Sequence, residues 1–131
     1  MLAFLANHKS SLLIISGAIP GALLRMQFSN KLALYTQSKL LALVILNTVS
    51  TFLLGFFLAI QPKLELSSYN KSLYLLLCVG FLGSFSTFSS FIFELYSFSR
   101  KHRLIDFLCM VLFSIFLGLF SAFSGQYFGN L

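Results

Sequence analysis

The chain has 131 residues, of which 58% are hydrophobic and only 9% charged, too few charges to coat a water-soluble domain of this length, so the composition points to a membrane protein. Its formal charge of +6, from nine Lys and Arg against Glu65, Glu94 and Asp106, comes with no basic face or aromatic platform separate from the apolar runs. Nucleic acid is therefore not an expected partner, whereas basic loops facing anionic membrane lipid are.

Uncharged runs cover residues 10–24, 40–60, 72–93 and 107–128. A spanning helix needs about 20 apolar residues, so the last three qualify outright and the first is short unless Lys9 and Arg25 snorkel to extend it. The expected architecture is all-α: one membrane domain over residues 1–131 with four transmembrane helices near 10–28, 40–60, 72–96 and 105–128. In the first run Gly17 and Gly21 form a small-xxx-small pair, which suits close packing in lipid. A cleaved signal peptide, the competing reading of this run, has no use for such a pair.

The second run carries Asn47, Ser50, Thr51 and Gly55 at steps of three or four, on one helical face. An amide in hydrocarbon must find partners, because an unsatisfied polar group there costs on the order of several kcal/mol. Asn47 is either interhelical glue or part of a polar route.

The third run holds Gly80-Phe81-Leu82-Gly83-Ser84-Phe85-Ser86-Thr87-Phe88-Ser89-Ser90-Phe91, followed by Glu94. Clustered glycines and serines weaken a helix and let its backbone open where protein shields it. A break near the middle frees carbonyls around Gly83 to Ser86 that suit a small hard cation. The competing reading is a continuous helix whose small residues pack against neighbours. Past a break, Phe88 and Phe91 share a face if that segment is helical. Their positive ring edges can attract an anion, and Thr87, Ser89, Ser90, Asn47 and Ser114 can donate hydrogen bonds along the same route. Glu94, the lone acid of this span and near its end, is either a lipid-interface residue or a proton- or anion-gating group, and an intramembrane carboxylate is a functional candidate on that ground.

The fourth run places Ser114, Gly118 and Ala122 four residues apart, then Gly125 and Gly129, a ridge that lets another helix approach. Four helices make a thin bundle, so association between subunits is expected. Cys78 and Cys109 fall inside apolar runs and read as reduced core residues. No Ser-His-Asp or Cys-His set and no phosphate-binding glycine loop appears, so enzymatic chemistry has no foothold.

Four spans put both termini on one side. Arg25, Lys31 and Lys39 lie in the first loop region and Arg100, Lys101 and Arg103 in the third, against Lys9, Lys63 and Lys71 opposite. By the positive-inside rule the richer side is cytoplasmic and both termini face out.

These motifs resemble the fluoride channel family called Fluc or CrcB. The third run is similar to its Gly-Phe-x-Gly-Gly-x-Thr-Thr-Phe-Ser-Thr-Phe pattern. Residues 17–25, GAIPGALLR, resemble Gly-x-x-x-Gly-Ala-x-x-Arg, and Asn47 with Gly55 fits Asn-x-x-Gly-x-x-x-x-Gly. Ser114 with Gly118 fits the fourth span.

The resemblance implies an antiparallel dimer with two narrow pores that passively exports cytoplasmic fluoride trapped as the anion of a weak acid. It implies a multi-pass protein of a prokaryotic plasma (inner) membrane. On matching positions, Phe88 and Phe91 are the pore phenylalanines, Asn47 the pore amide, Ser89 and Ser114 polar-track hydroxyls, and Glu94 a vestibule carboxylate. The carbonyls of Gly83 and Ser86 hold a structural sodium shared across the dimer, and Arg25 recruits anions or helps assembly. Departures are Met26 for an aromatic, Ser50 and Ser84 for Gly, Ser86 and Ser90 for Thr, and Met110 for a pore-lining Tyr.

A single chain forming an antiparallel dimer must insert both ways, which six basic residues against three oppose. The expected partner is therefore a homologous four-span subunit of opposite orientation. A dual-topology homodimer, or an assembly subunit whose own pore is impaired, are the alternatives. A small multidrug exchanger, also a four-helix antiparallel dimer, needs a carboxylate in the first span, and residues 10–24 contain none.

Overall fold

The computed structural model describes residues 2–62, 68–100 and 104–131. Lys63, Glu65, Lys101, His102 and Arg103 lie outside them, so three of the nine cations counted for orientation have no described position. The described residues are helical, without strands: α1 (Leu2–Thr36), α2 (Lys39–Ile60), α3 (Ser68–Tyr74), a π-helical segment (Leu75–Leu82), the single turn α4 (Gly83–Phe85), α5 (Ser89–Arg100) and α6 (Leu104–Asn130). Four stretches are long and apolar enough to cross a membrane: His8–Thr36, Lys39–Ile60, Lys71–Ser97 and Leu104–Asn130.

α1 runs well past the apolar stretch that starts it and carries Pro20 in its interior. Pro20 lacks the N–H that would bond the carbonyl one turn back, and it lies between Gly17 and Gly21, where a neighbouring backbone closes on the helix. α1 ends in a two-residue turn. Gln37 takes a left-handed φ of 53°, Thr36 Oγ1 lies 2.9 Å from both Leu32 O and Ser38 O, and Ser38 caps α2 by accepting from Leu41 N–H. So short a connection makes α1 and α2 adjacent and antiparallel.

Two helix pairs form the bundle, each joined where side chains vanish. α1 lies on the π-helical segment: a Cβ on Gly17 or Gly21 would strike the carbonyls of Leu76 or Phe81, and one on Gly80 would strike that of Ile14. α2 lies on α6 in the same way, with Gly55 against Ala122 O, Gly125 against Phe52 O and Gly129 against Phe56 O. Gly118 departs from the ridge expected of α6, because a Cβ there would meet nothing within 4 Å.

Where α5 meets α2 and α6 lies a core of Leu40, Val44, Phe91 and Leu95, with Phe107, Met110, Val111 and Leu117 packed on it. The outside is apolar. Only 11% of the α1 membrane window and 6% of that of α6 is buried within the chain, so these faces need lipid or another subunit around them.

Ser121 Oγ donates to Thr48 O across the α2–α6 contact at 2.7 Å. Ser121→Ala removes that bond while Thr48 O keeps its helical partner. The expected loss is small, about 0.6 kcal/mol as for other interhelical bonds in membranes, seen as a slightly lower melting temperature in detergent.

Candidate functional site

The site begins where the third membrane traverse stops being a helix. α4 ends at Phe85, Ser86 is extended (φ −75°, ψ 154°), and α5 starts at Ser89. In a continuous α-helix the N–H of Thr87 would bond Gly83 O and that of Ser90 would bond Ser86 O. Both donors are diverted to side chains. Thr87 N–H donates to Asn47 Oδ1 at 2.8 Å, and Ser90 N–H donates to the Thr87 hydroxyl at 3.3 Å, as at a capped helix start. The carbonyls of Gly83 and Ser86 thereby lose the helical donors that would otherwise hold them.

Asn47 supplies the other half of the arrangement, its Nδ2 donating to Thr87 O at 3.0 Å. One side-chain amide from α2 thus pairs with both polar groups of a single residue in the break. Thr87 is buried, at 6% exposure, where an unpaired peptide group would be costly. Asn47 is interhelical glue in the literal sense, and what it fastens is the unwound segment. It uses one of its two Nδ2 protons there.

The neighbouring hydroxyls collect around Thr87. Its Oγ1 is 3.3 Å from Ser90 Oγ and 3.4 Å from Ser89 Oγ, long contacts that leave these groups able to turn toward another acceptor. The other two hydroxyls of the α2 face turn inward to their own helix: Ser50 Oγ donates to Leu46 O and Thr51 Oγ1 to Asn47 O.

The two phenylalanines do not share one environment. Phe91 is 5% exposed and belongs to the core, whereas Phe88 precedes the first residue of α5 and is 75% exposed on the outside of the chain. The break ends between them, so i, i+3 spacing does not put them on one buried face. Ser114 lies partly buried on α6 between Met110 and Leu117, both packed on the Phe91 core. Phe81 stacks on Phe85 and Phe28 meets Phe85 edge-on, which ties α1 to the end of α4.

An open cleft of about 370 Å³ reaches this region from the α1–α2 turn. It is lined by Arg25, Ser29 and Asn30 of α1 with the apolar Ala22, Leu23 and Met26, by Lys39 and Leu43 of α2, and by Ser90 of α5. Glu94 Oε1 stands 3.7 Å from Lys39 Nζ. Ser29 and Asn30 carry no site signal in the sequence, and Lys39 enters there only as a loop cation. Residues 22, 25, 26 and 29 do follow the i, i+3, i+4, i+7 stripe of one helix face, a signal that was present. Among the described residues no three His, Cys, Asp or Glu side chains gather as metal ligands, so a cation at the break would rest on backbone oxygens.

A family model described as "CrcB-like protein, Camphor Resistance (CrcB)" matches residues 12–126. The chain is 40% identical over 126 residues to "Fluoride-specific ion channel FluC 2" of Prochlorococcus marinus (strain SARG), covering 96% of each sequence. It is 38% identical over 118 residues to "Fluoride-specific ion channel FluC 1" of Prochlorococcus marinus (strain MIT 9313), covering 90% of each. To "Fluoride-specific ion channel FluC" of Dehalococcoides mccartyi (strain CBDB1) it is 33% identical over 121 residues, covering 92% of each.

Proposed function

The chain belongs to the CrcB family, and from that premise we propose that it is a fluoride-selective channel subunit through which cytoplasmic fluoride leaves passively. It is a transport protein and not an enzyme, and it is a multi-pass protein of a prokaryotic plasma membrane. The observation that carries the reading is the break held open by Asn47 inside an apolar bundle. A bundle needing only to pack has no use for an unwound, hydroxyl-lined segment fastened at membrane depth.

Fluoride is small and strongly hydrated, so a route for it must replace water with donors. The hydroxyls of Thr87, Ser89 and Ser90 and the second Nδ2 proton of Asn47 supply them without releasing the break. Ser114 on α6 extends the set. Phe88 and Phe91 present ring edges, Phe91 from within the subunit and Phe88 toward a second one. Glu94 and Arg25 lie on the approach, in or beside the cleft.

The geometry of the break fits a structural sodium. The carbonyls of Gly83 and Ser86, whose helical donors are engaged elsewhere, would hold it, and its charge would steady the unwound backbone at the contact with the second subunit. That second subunit is an antiparallel homologue covering Phe88 and the apolar faces of α1 and α6, which gives two pores per dimer. Relatives carry the names FluC 1 and FluC 2, and together with the loop charges this favours a heterodimer over a dual-topology homodimer. The packing of Met110 on the Phe91 core favours one further reading, an assembly subunit whose own pore is impaired.

Liposomes loaded with fluoride and containing this chain, alone or with its homologue, are expected to release fluoride while retaining chloride, followed with a fluoride electrode. Release of chloride without fluoride would reject the channel reading. Phe91→Ile is expected to lower the efflux at least about tenfold, equivalent to about 1.4 kcal/mol. Unchanged efflux would favour the assembly reading.

A further inference from the structure

The cleft at the α1–α2 turn contains two cations, and one of them is already engaged. Lys39 opens α2 and is 53% exposed, and Glu94 of α5, at 24%, stands 3.7 Å from it. From Lys39 to Asn47 is about 12 Å along α2, and from the turn back to Arg25 about 16 Å along α1. Lys39 therefore stands at the mouth, while Arg25 and Ser90 line the cleft further in, where Ser90 touches the Thr87 hydroxyl. An anion entering here passes the ammonium first, then the guanidinium, and arrives at the break.

We propose that Lys39 collects anions at this mouth and that Glu94 attenuates it, competing with the passing anion for the same ammonium. The proposal rests on the fluoride-channel reading. Lys39 is exposed and a single long contact joins it to the half-buried Glu94, so the pair holds weakly and its exchange for an anion is cheap. The ammonium, a compact charge on a flexible stem with three donors, can turn from the carboxylate to an anion in the cleft without moving the backbone. Conduction needs capture that is favourable but not tight. A lone lysine above Arg25 would hold fluoride longer, and a lone carboxylate would repel it.

The sign of each change follows. At subsaturating fluoride and low ionic strength, Lys39→Gln leaves Glu94 unneutralised and lowers initial efflux about threefold, the effect of one unit charge about 7 Å from the path in water. Glu94→Gln releases Lys39 and raises capture about threefold at the lowest fluoride concentrations. The double variant lies between the two, and Lys39→Arg keeps most of the wild-type rate. All these differences shrink toward unity near 1 M salt, where the screening length is about 3 Å.

The measurement is fluoride-electrode efflux from liposomes at about 10 mM and about 1 M ionic strength, on the assembled protein checked for a single peak by size exclusion. Lys39→Gln with unchanged efflux in an active channel overturns the proposal and leaves the channel reading intact. A loss in Lys39→Gln that is equal at both salt concentrations also overturns it, since that marks a packing role. No fluoride efflux from wild type overturns both.

Discussion

Asn47→Leu is expected to abolish fluoride flux and to lower the stability of the subunit by about 2–6 kcal/mol, because two buried peptide groups lose their partners at about 1–3 kcal/mol each. Leucine keeps the branching at Cγ and is the larger side chain, so no cavity complicates the result. What disappears is the acceptor at 2.8 Å for Thr87 N–H and the donor at 3.0 Å for Thr87 O. With both gone, the cheapest repair is for Thr87 N–H to return to Gly83 O and close the helix. That repair removes the free carbonyls at Gly83 and Ser86 and turns the hydroxyls of Thr87, Ser89 and Ser90. Asn47→Asp separates the two halves of the clamp: it keeps an acceptor for Thr87 N–H, sets a carboxylate oxygen against Thr87 O, and adds negative charge beside the route. It should melt between wild type and Asn47→Leu while losing flux as completely. Efflux assays and melting curves in detergent check both, and full flux from Asn47→Leu would remove the clamp from the function.

The fold and the site were legible to different depths. Four spans follow from four apolar runs because hydrocarbon allows the backbone few other solutions. α1 extends to Thr36 because Gln27, Ser29, Asn30 and Lys31 end the apolar run without breaking the helical register, and polarity alone does not stop a helix. Asn47 stood out as an amide in hydrocarbon, yet its partner, 40 residues away, is set by how α2 crosses the break. That crossing depends on the glycine contacts at both helix pairs and has no local signal. The same holds for Lys39 and Glu94, which belong to different helices, and for Ser121 and Thr48. Phe88 and Phe91 show the limit of periodicity: a spacing of three implies one face only if the helix begins before the first of them, and α5 begins after it. Gly118 shows it again. The four-residue ridge on α6 is regular, but α6 turns Gly125 and Gly129 to α2 and leaves Gly118 open.

That last distinction leads to the second large effect. Gly125→Leu is expected to abolish the folded subunit, with loss of monodisperse protein on extraction. A Cβ at Gly125 would overlap Phe52 O and lie 3.0 Å from Phe56 N. These are backbone atoms of a helix that cannot yield locally, so α2 and α6 must separate along their length. Separation breaks Ser121 to Thr48, pulls Gly55 from Ala122, and parts the α6 residues Met110 and Leu117 from Leu40 and Val44 of α2 in the core around Phe91. In lipid no hydrophobic term resists that separation, because the association depends on close van der Waals contact. Losses from several contacts failing together place the effect in the exceptional range above about 4 kcal/mol. Gly118→Leu, the same substitution on the same helix, meets no atom of its own subunit within 4 Å at Cβ and should leave the subunit folded. If Gly118→Leu nevertheless lowers fluoride flux while the isolated subunit melts normally, the loss belongs to a contact with another chain. Normal yield and melting from Gly125→Leu would mean that α2 and α6 are not held by close backbone approach.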